Sequence, residues 1–439
     1  MRGHCSSFLF AIVFLCCASV TAVRSVAEDK DDRPSGPMIG RLTPYTAHIW
    51  ARLPHAGEEA NCRLLVEDRV DQTLSRWNAR ATADRDWCVL WKVKGLRPDT
   101  EYAYRIRQGG DLVFGGEALT FRTPVADGID GVVKIGFGSC AESDSGSSAV
   151  FDRVLTSDCD AMVLLGDTPY IDSTELDVQR RKHREFLRVE GVRKLARCRP
   201  VYATWDDHDY GGSNADGLLE GKERSRQAFM EYRAHPPYGG DDGGIYSSFR
   251  NGAVEVFLLD TRSFANVEEA TQSSGQRSML GAAQWAWLTE GLIDSRATVK
   301  VLACGTVWHD MPKEKPDCWA RHPAERDALF RFIGENSISG VVMVAGDLHQ
   351  SRVVEHQTIP TAGYSIVEFV SSPIHSHTEP ESNFPHPGLR RHINAGNVFL
   401  QLEVDTQTDS GTVSGRFIDK AGKVLHEEIL PIPLLQKGD

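Results

Sequence analysis

"DAMVLLGDTPY", Asp160–Tyr170, crosses five apolar residues and stops at Gly166-Asp167. Five residues are too few for a helix but enough for a strand buried on both faces, and the Gly-Asp pair is where such a strand leaves its sheet. The shape recurs along the chain. "VVKIGFGSC" ends at Cys140, "VYATWDD" at Asp207, "VEVFLLD" at Asp260, "VKVLACGTVWH" at His309, and "GVVMVAGDLH" at Asp347 and His349. One strand-terminal aspartate is ordinary turn chemistry. Six strands that each deliver a metal-ligand type to the carboxyl edge point instead to a site, because that edge is where α/β sheets build them. Between the strands lie amphipathic segments of helical length: "RRKHREFLRVEGVRKLA", "SRQAFMEYRA", "GAAQWAWLTEGLI" and "PAERDALFRFIGEN". The alternation predicts an α/β domain over residues 131–439.

Upstream the period changes to two. "PMIGRLTPYTAHIWARLP" and "LRPDTEYAYRI", punctuated by Pro and Gly, predict a β-sandwich over residues 37–124. The second run resembles a fibronectin type III strand pair with Tyr102 as its corner tyrosine. Cys62 and Cys88 fall inside this unit and are candidates for pairing.

The first residues read "MRGHCSSFLFAIVFLCCASVTAVRS": one arginine, an apolar stretch over Phe8 to Leu15, then small residues. This is a signal peptide, residues 1–22, cut after Ala22, followed by a polar linker at 23–36. The apolar stretch is shorter than the ~20 residues a membrane span needs, so no transmembrane segment remains after processing. Cys16 and Cys17 offer at best a poor lipid-attachment site. Export leaves seven of the ten cysteines, an odd number, so at least one thiol stands outside intramolecular disulfides. A net charge of −12 disfavours polyanions, and no basic run is present to bind nucleic acid.

Carboxylates and imidazoles with one thiolate suit two adjacent cations of hard to intermediate character: iron, zinc, manganese or calcium. Such pairs activate water and neutralise a phosphoryl group, which fits phosphate ester hydrolysis, among the slowest of uncatalysed reactions.

In order, "GSC", "GDTPY", "TWDDHDYGGSN", "LLDTR", "QWAWL" and "GDLH" behind a β-sandwich resemble the alkaline phosphatase D (PhoD-like) family of metallophosphatases, across nearly all of the mature chain. The resemblance implies a four-layer αββα catalytic domain and a binuclear centre of ferric iron with a divalent partner, calcium, zinc or manganese. By position, Asp167 looks like the bridging carboxylate, Cys140 and Tyr170 like ligands of the ferric ion, Asp207 like a ligand of the second metal, and Asp347 and His349 like the family's remaining ligands. His208 would face the phosphoryl group and assist the leaving oxygen.

His309 departs from many relatives and has two readings, ligand or hydrogen-bonded pocket histidine. Asn214 contacts metal or phosphate, or neither. Asp206 and Asp209 are expected in supporting or turn roles, Asp260 with Arg262 in a structural ion pair, and Tyr364, Trp285 and Trp287 in the core. His375 and His377 are near enough to a strand end to line the pocket. The expected function is an exported phosphoesterase using a metal-bound hydroxide on small mono- or diesters. Alternatives are a nucleotide or phospholipid diesterase on the same centre, or a non-catalytic protein binding through its sandwich. Selectivity is expected in loops Asn266 to Met279 and Met311 to Pro323.

Overall fold

Alternation is clearest in β3, β4 and β6 of the first seven strands, β1 (Ser35–Leu42), β2 (Thr46–Arg52), β3 (Glu59–Asp68), β4 (Leu74–Thr82), β5 (Cys88–Lys94), β6 (Glu101–Gln108) and β7 (Asp111–Arg122), while β1 is buried almost throughout. They form two antiparallel sheets, ordered β1-β2-β5 and β4-β3-β6-β7. In β6, Tyr102, Tyr104 and Ile106 point inward while Glu101, Arg105 and Arg107 face solvent. The inward set packs with Ile49, Trp91, Leu64 and Phe121 into a sandwich core. The Tyr102 hydroxyl accepts from the Arg97 amide at 2.8 Å, closing the corner that the sequence suggested. Cys62 on β3 and Cys88 on β5 lie in opposite sheets, and both are free buried thiols rather than a disulfide. The computed structural model describes residues 31–438 apart from 56, 241, 273–274, 313–316 and 409. The segment read as a signal peptide lies outside the described residues, and β1 starts two residues before the expected sandwich boundary.

Thirteen further strands build two stacked sheets. β8 (Val132–Gly138), β9 (Ala161–Leu165) and β10 (Val201–Thr204) are parallel and join β18 (Val398–Asp405), β19 (Thr412–Asp419) and β20 (Val424–Pro431) in the order β10-β9-β8-β18-β19-β20. The second sheet holds β11 (Ser247–Asn251), β12 (Val254–Leu258), β13 (Val299–Ala303), β14 (Val341–Ala345), β15 (Ser351–His356), β16 (Ile366–Val370) and β17 (Leu389–Ile393), ordered β11-β12-β13-β14-β16-β15-β17. Their facing surfaces, with Phe137, Val163, Val256, Val301, Val342, Leu400 and Phe417, form the main core.

Helices cover both outer faces. On the first sheet lie α1 (Ser145–Thr156), α2 (Leu176–Leu187), α3 (Glu190–Ala196) and α5 (Lys222–Tyr232), with Phe151, Phe186, Leu195 and Phe229 buried against Met162 and Leu164; the single turn α4 (Asp207–Tyr210) lies at the end of β10. On the second lie α6 (Gly281–Asp294) and α7 (Pro323–Glu335), and α8 (Ile359–Ala362) packs on α7. This is the αββα arrangement. The segment expected as one helix, "RRKHREFLRVEGVRKLA", breaks at Val189, whose backbone is extended, into α2 and α3. The break lets Gly191 sit against Ser148 so closely that a Cβ there would lie 2.0 Å from the Ser148 carbonyl oxygen.

Sandwich and α/β portion form one compact unit, Asp32–Asp439. The Trp50 indole donates to the Glu231 carbonyl at 2.7 Å, and the Tyr104 hydroxyl to that of Arg197 at 2.6 Å. The Asp86 carboxylate accepts from Arg52 of the sandwich and from Arg184 and Tyr232 of the α/β portion. Burial raises its pKa, but these donors outweigh it and hold the acid below its ordinary range.

Candidate metal centre

Four of the six strand ends meet. Cys140 after β8, Asp167 after β9, Asp207 after β10, and Asp347 with His349 after β14 gather where the two sheets' carboxyl edges face each other. Asp167, Asp207, His208, Asn214, Asp347 and His349 line a cleft of about 290 Å³. Several of these residues occupy left-handed backbone conformations: Cys140 (φ 55°), Asp167 (φ 53°), Asn214 (φ 55°), Asp347 (φ 69°) and His349 (φ 51°). Such φ values cost a non-glycine residue of order 1 kcal/mol each. Their concentration at one cleft shows that the fold sets the backbone for the site rather than for itself.

Two overlapping donor groups are present. Cys140, Asp167 and His349 each bring a ligand atom within 4.8 Å of the others, and so do Asp167, Asp206 and Asp207. Asp167 belongs to both. The Cys140 thiol lies 3.4 Å from the Asp167 carboxylate and accepts from the Ser372 hydroxyl at 3.2 Å. The Tyr170 hydroxyl sits 2.9 Å from His349 Nε2 and 3.1 Å from His375 Nε2, so Tyr170 joins the thiol side. On the other side, Asp207 accepts from the backbone amides of His208 at 3.0 Å and Asn214 at 2.6 Å.

The electrostatics call for positive charge. Burial, then Asp207 and Asp206, pushes Asp167 well above the carboxylate range; burial does the same to Asp206 despite Arg262 beside it. Asp207 is depressed, since Arg262, His208 and the two amides outweigh its burial. Burial and the neighbouring Asp167 push the Cys140 thiol up. One oxygen of Asp206 is buried with no hydrogen-bond partner. Three buried carboxylates with one guanidinium form an unstable set unless cations join them, so the donor set fits a metal pair.

His208, the second residue of α4, lies on the cleft rim. Its Nδ1 lies 2.5 Å from Asp172, and its ring meets the Tyr170 ring edge-on at 4.9 Å. The backbone carbonyl of His208 accepts from both Ile171 and Asp172, which clamps the two loops together. The other nitrogen, Nε2, is left for the cleft.

The solved proteins share this architecture. The PhoD-like phosphatase family model matches residues 135–409. The chain belongs to the PhoD-like phosphatase family. It is 26% identical over 310 residues to alkaline phosphatase D of Bacillus subtilis (strain 168), a match covering 59% of this chain and 53% of that relative, so the chain spans about half the length of the curated relative. A structure of PhoD superposes with a TM-score of 0.73 at 18% identity, covering 90% of this chain and 93% of the other. The purple acid phosphatase PPD1 from yellow lupin (Lupinus luteus) seeds does so with a TM-score of 0.69 at 10% identity, covering 91% and 74%. Both superpositions show that the fold is shared.

The remaining strand ends of this family member do not reach the cleft. His309 is fully buried, with Nδ1 3.0 Å from Glu368 and Nε2 3.0 Å from Arg352. Both ring nitrogens are thus engaged by neighbouring side chains. Asp260 accepts from the Trp205 indole at 2.8 Å and from the amides of Ile245, Arg262 and Ser263. Arg262 pairs not with Asp260 but with Asp206, and at 2.6 Å with Asp317. Asp206 and Asp209 cap α4 reciprocally, so both are turn residues; Asp206 also reaches the donor group. Asp172, Asp317 and Glu379, all loop residues, escaped the sequence reading although Asp317 and Glu379 line the cleft. His375 supports Tyr170 from a buried position, while His377, exposed, falls within 4.8 Å of His349 and Glu379. Tyr364 is buried in the main core, and Trp285 and Trp287 pack on it.

Proposed function

We propose that this PhoD-like chain is an exported, metal-dependent phosphoesterase acting on small mono- or diesters. The observation that carries the reading is the shared carboxylate: Asp167 belongs to two donor groups of different chemistry, one with a thiol and an imidazole, the other with two further carboxylates. Cys140, Tyr170, Asp167 and His349 would hold the higher-valent ion, with iron(III) the best fit, because phenolate and thiolate stabilise it by charge donation. Asp167, Asp207, Asp347 and Asn214 would hold a divalent oxygen-seeking ion such as calcium, zinc or manganese. When bound, the pair supplies positive charge to the phosphoryl oxygens and acidifies water.

The chain's own residues supply orientation and proton handling. Asp172 holds the His208 ring at the cleft through Nδ1, which would leave Nε2 to donate a proton to a leaving-group oxygen. The amides of His208 and Asn214 hold Asp207 in one orientation. Ser372 and the buried wall around Cys140 keep water from the thiol side. Export rests on the signal-like residues 1–22. Among the described residues no helix is long and apolar enough to cross a membrane.

The test is elemental analysis with a visible spectrum of the mature protein, followed by a panel of phosphate mono- and diesters. Iron with a charge-transfer band that is lost in Tyr170→Phe or Cys140→Ala, together with ester turnover lost in Asp167→Asn, is the expected result. Protein made with iron available that holds no tightly bound metal would overturn the reading.

A further inference from the structure

The sequence has no basic run, yet the fold assembles a basic groove. Two shallow grooves of about 340 and 280 Å³ lie where the sandwich meets the segment after α5. They share Lys92 and Pro236 and so adjoin, lying end to end along β5 from Cys88 to Lys94. At about 3.3 Å per residue that course is roughly 20 Å long.

Its charges have one sign. Arg80, Arg85 and Lys92 line one part, and Arg41, His48, Lys92 and Lys94 the other. The single carboxylate along either part is Glu231, which already accepts from Arg180 twice at 2.8 Å and from Gln227 at 2.9 Å. Arg80 is paired with Glu59 at the exposed surface. Among the described residues Arg41, Arg85, Lys92 and Lys94 have no ion-pair partner. Burial, then Lys92 and Arg41, pushes the half-buried His48 imidazole down to about 4. The chain's overall charge of −12 does not cancel this local positive charge. At physiological salt the Debye length is about 8 Å, so distant carboxylates are screened and the local sign governs.

We propose that this groove binds a linear phosphodiester polyanion and anchors it to the sandwich. Cations strung over the length of β5 suit a chain of charges rather than one small anion, and guanidinium groups favour phosphate. Trp50 and Tyr238, the aromatic residues of the groove walls, are buried. Among the described residues the half-buried His48 is the one lining aromatic ring not fully buried, so recognition is chiefly of backbone charge rather than of bases or sugars. Binding here does not depend on the phosphoesterase reading, although that reading would make the anchored polymer a substrate.

The experiment is fluorescence anisotropy of a short fluorescein-labelled oligothymidylate with the full mature protein, a chelator suppressing turnover. Engagement of three to four phosphates predicts affinity falling about 20- to 50-fold between about 50 and 200 mM salt, from a slope of roughly −0.7 per phosphate. Lys92→Gln with Lys94→Gln should lower that slope by about 1.4, while hydrolysis of a small ester and the thermal midpoint stay unchanged. No binding at the lower salt, an unchanged slope in the variant, or equal affinity for polyglutamate would each overturn the proposal. A catalytically dead protein that still binds with the expected slope would sink only the phosphoesterase reading.

Discussion

Replacing Arg262 by Met tests the electrostatic core of the centre. The side chains of Arg262 and Asp206 are 2% and 1% exposed, and the guanidinium is the cation that Asp206 contacts. Without it Asp206 faces Asp167 and Asp207 with no compensating charge, and its second oxygen already lacks a partner. Breaking a buried ion pair from one side costs about 3–5 kcal/mol. Protonation of Asp206, already favoured by its burial, limits the loss to the lower part of that range. A unit of roughly 400 residues has an unfolding entropy near 0.85 kcal/mol per kelvin, so a loss of about 3–4 kcal/mol lowers the thermal midpoint by about 4–5 °C. Scanning calorimetry of metal-free protein at neutral pH measures it. Arg262→Met combined with Asp206→Asn removes the more deeply buried of the two carboxylates that Arg262 contacts, leaving the partly exposed Asp317, and should recover at least half of the shift. A single-variant shift under about 1 °C, or a double variant less stable than the single, would refute the reasoning.

Asp172→Asn preserves a residue that tolerates the left-handed backbone at that position (φ 55°) but removes the anchor of His208. Turnover should fall about 10- to 100-fold, more for alkyl than for nitrophenyl leaving groups; an equal deficit with both would exclude a leaving-group role. A Cβ at Gly40 would lie 1.8 Å from the Ala234 carbonyl oxygen, so Gly40→Ala should destabilise the seam by about 1–3 kcal/mol in chemical denaturation. In metal-free protein His375 is held down to about 4, by burial and by His349 and His377, against an ordinary 6.5. The unfolded chain therefore takes up that proton first on acidification. Its contribution to stability is intact above pH 6.5 and lost between pH 6.5 and about 4, which a series of melting curves over that window reads out. Glu368 adds to the loss at lower pH, because His309 and His356 outweigh its burial and hold it well below 4.5.

Buried parallel strands announce themselves in sequence, and with them their carboxyl ends. That is why the strand ends carrying Cys140, Asp167, Asp207, Asp347 and His349 were legible, along with the α/β alternation; the four-layer αββα arrangement came from the family resemblance. What happens after the strand end was not. His309 and Asp260 share the pattern of the cleft residues, but Glu368, 59 residues from His309, and the Trp205 indole, 55 residues from Asp260, claim their side chains. Asp172, Asp317 and Glu379 sit in loops with no apolar frame to mark them. Asp206 and Asp209 cap each other across a helical turn, which the sequence pattern does not mark. The basic groove was invisible for the same reason: Arg41, Arg85 and Lys92 come from separate strands and a turn, and only the fold makes them neighbours.

The seam also imposes a timetable. A chain emerges from the ribosome amino end first, so the sandwich appears while its counterpart is still unmade. The Trp50 indole must wait for the Glu231 carbonyl, 181 residues later, and Asp86 for Tyr232, 146 residues later. At 5–20 residues per second the first delay is roughly 10–40 s. For that interval the nascent sandwich carries an aromatic face and a carboxylate with Arg52 as its sole prospective partner of the four-residue cluster, a ready landing place for a chaperone.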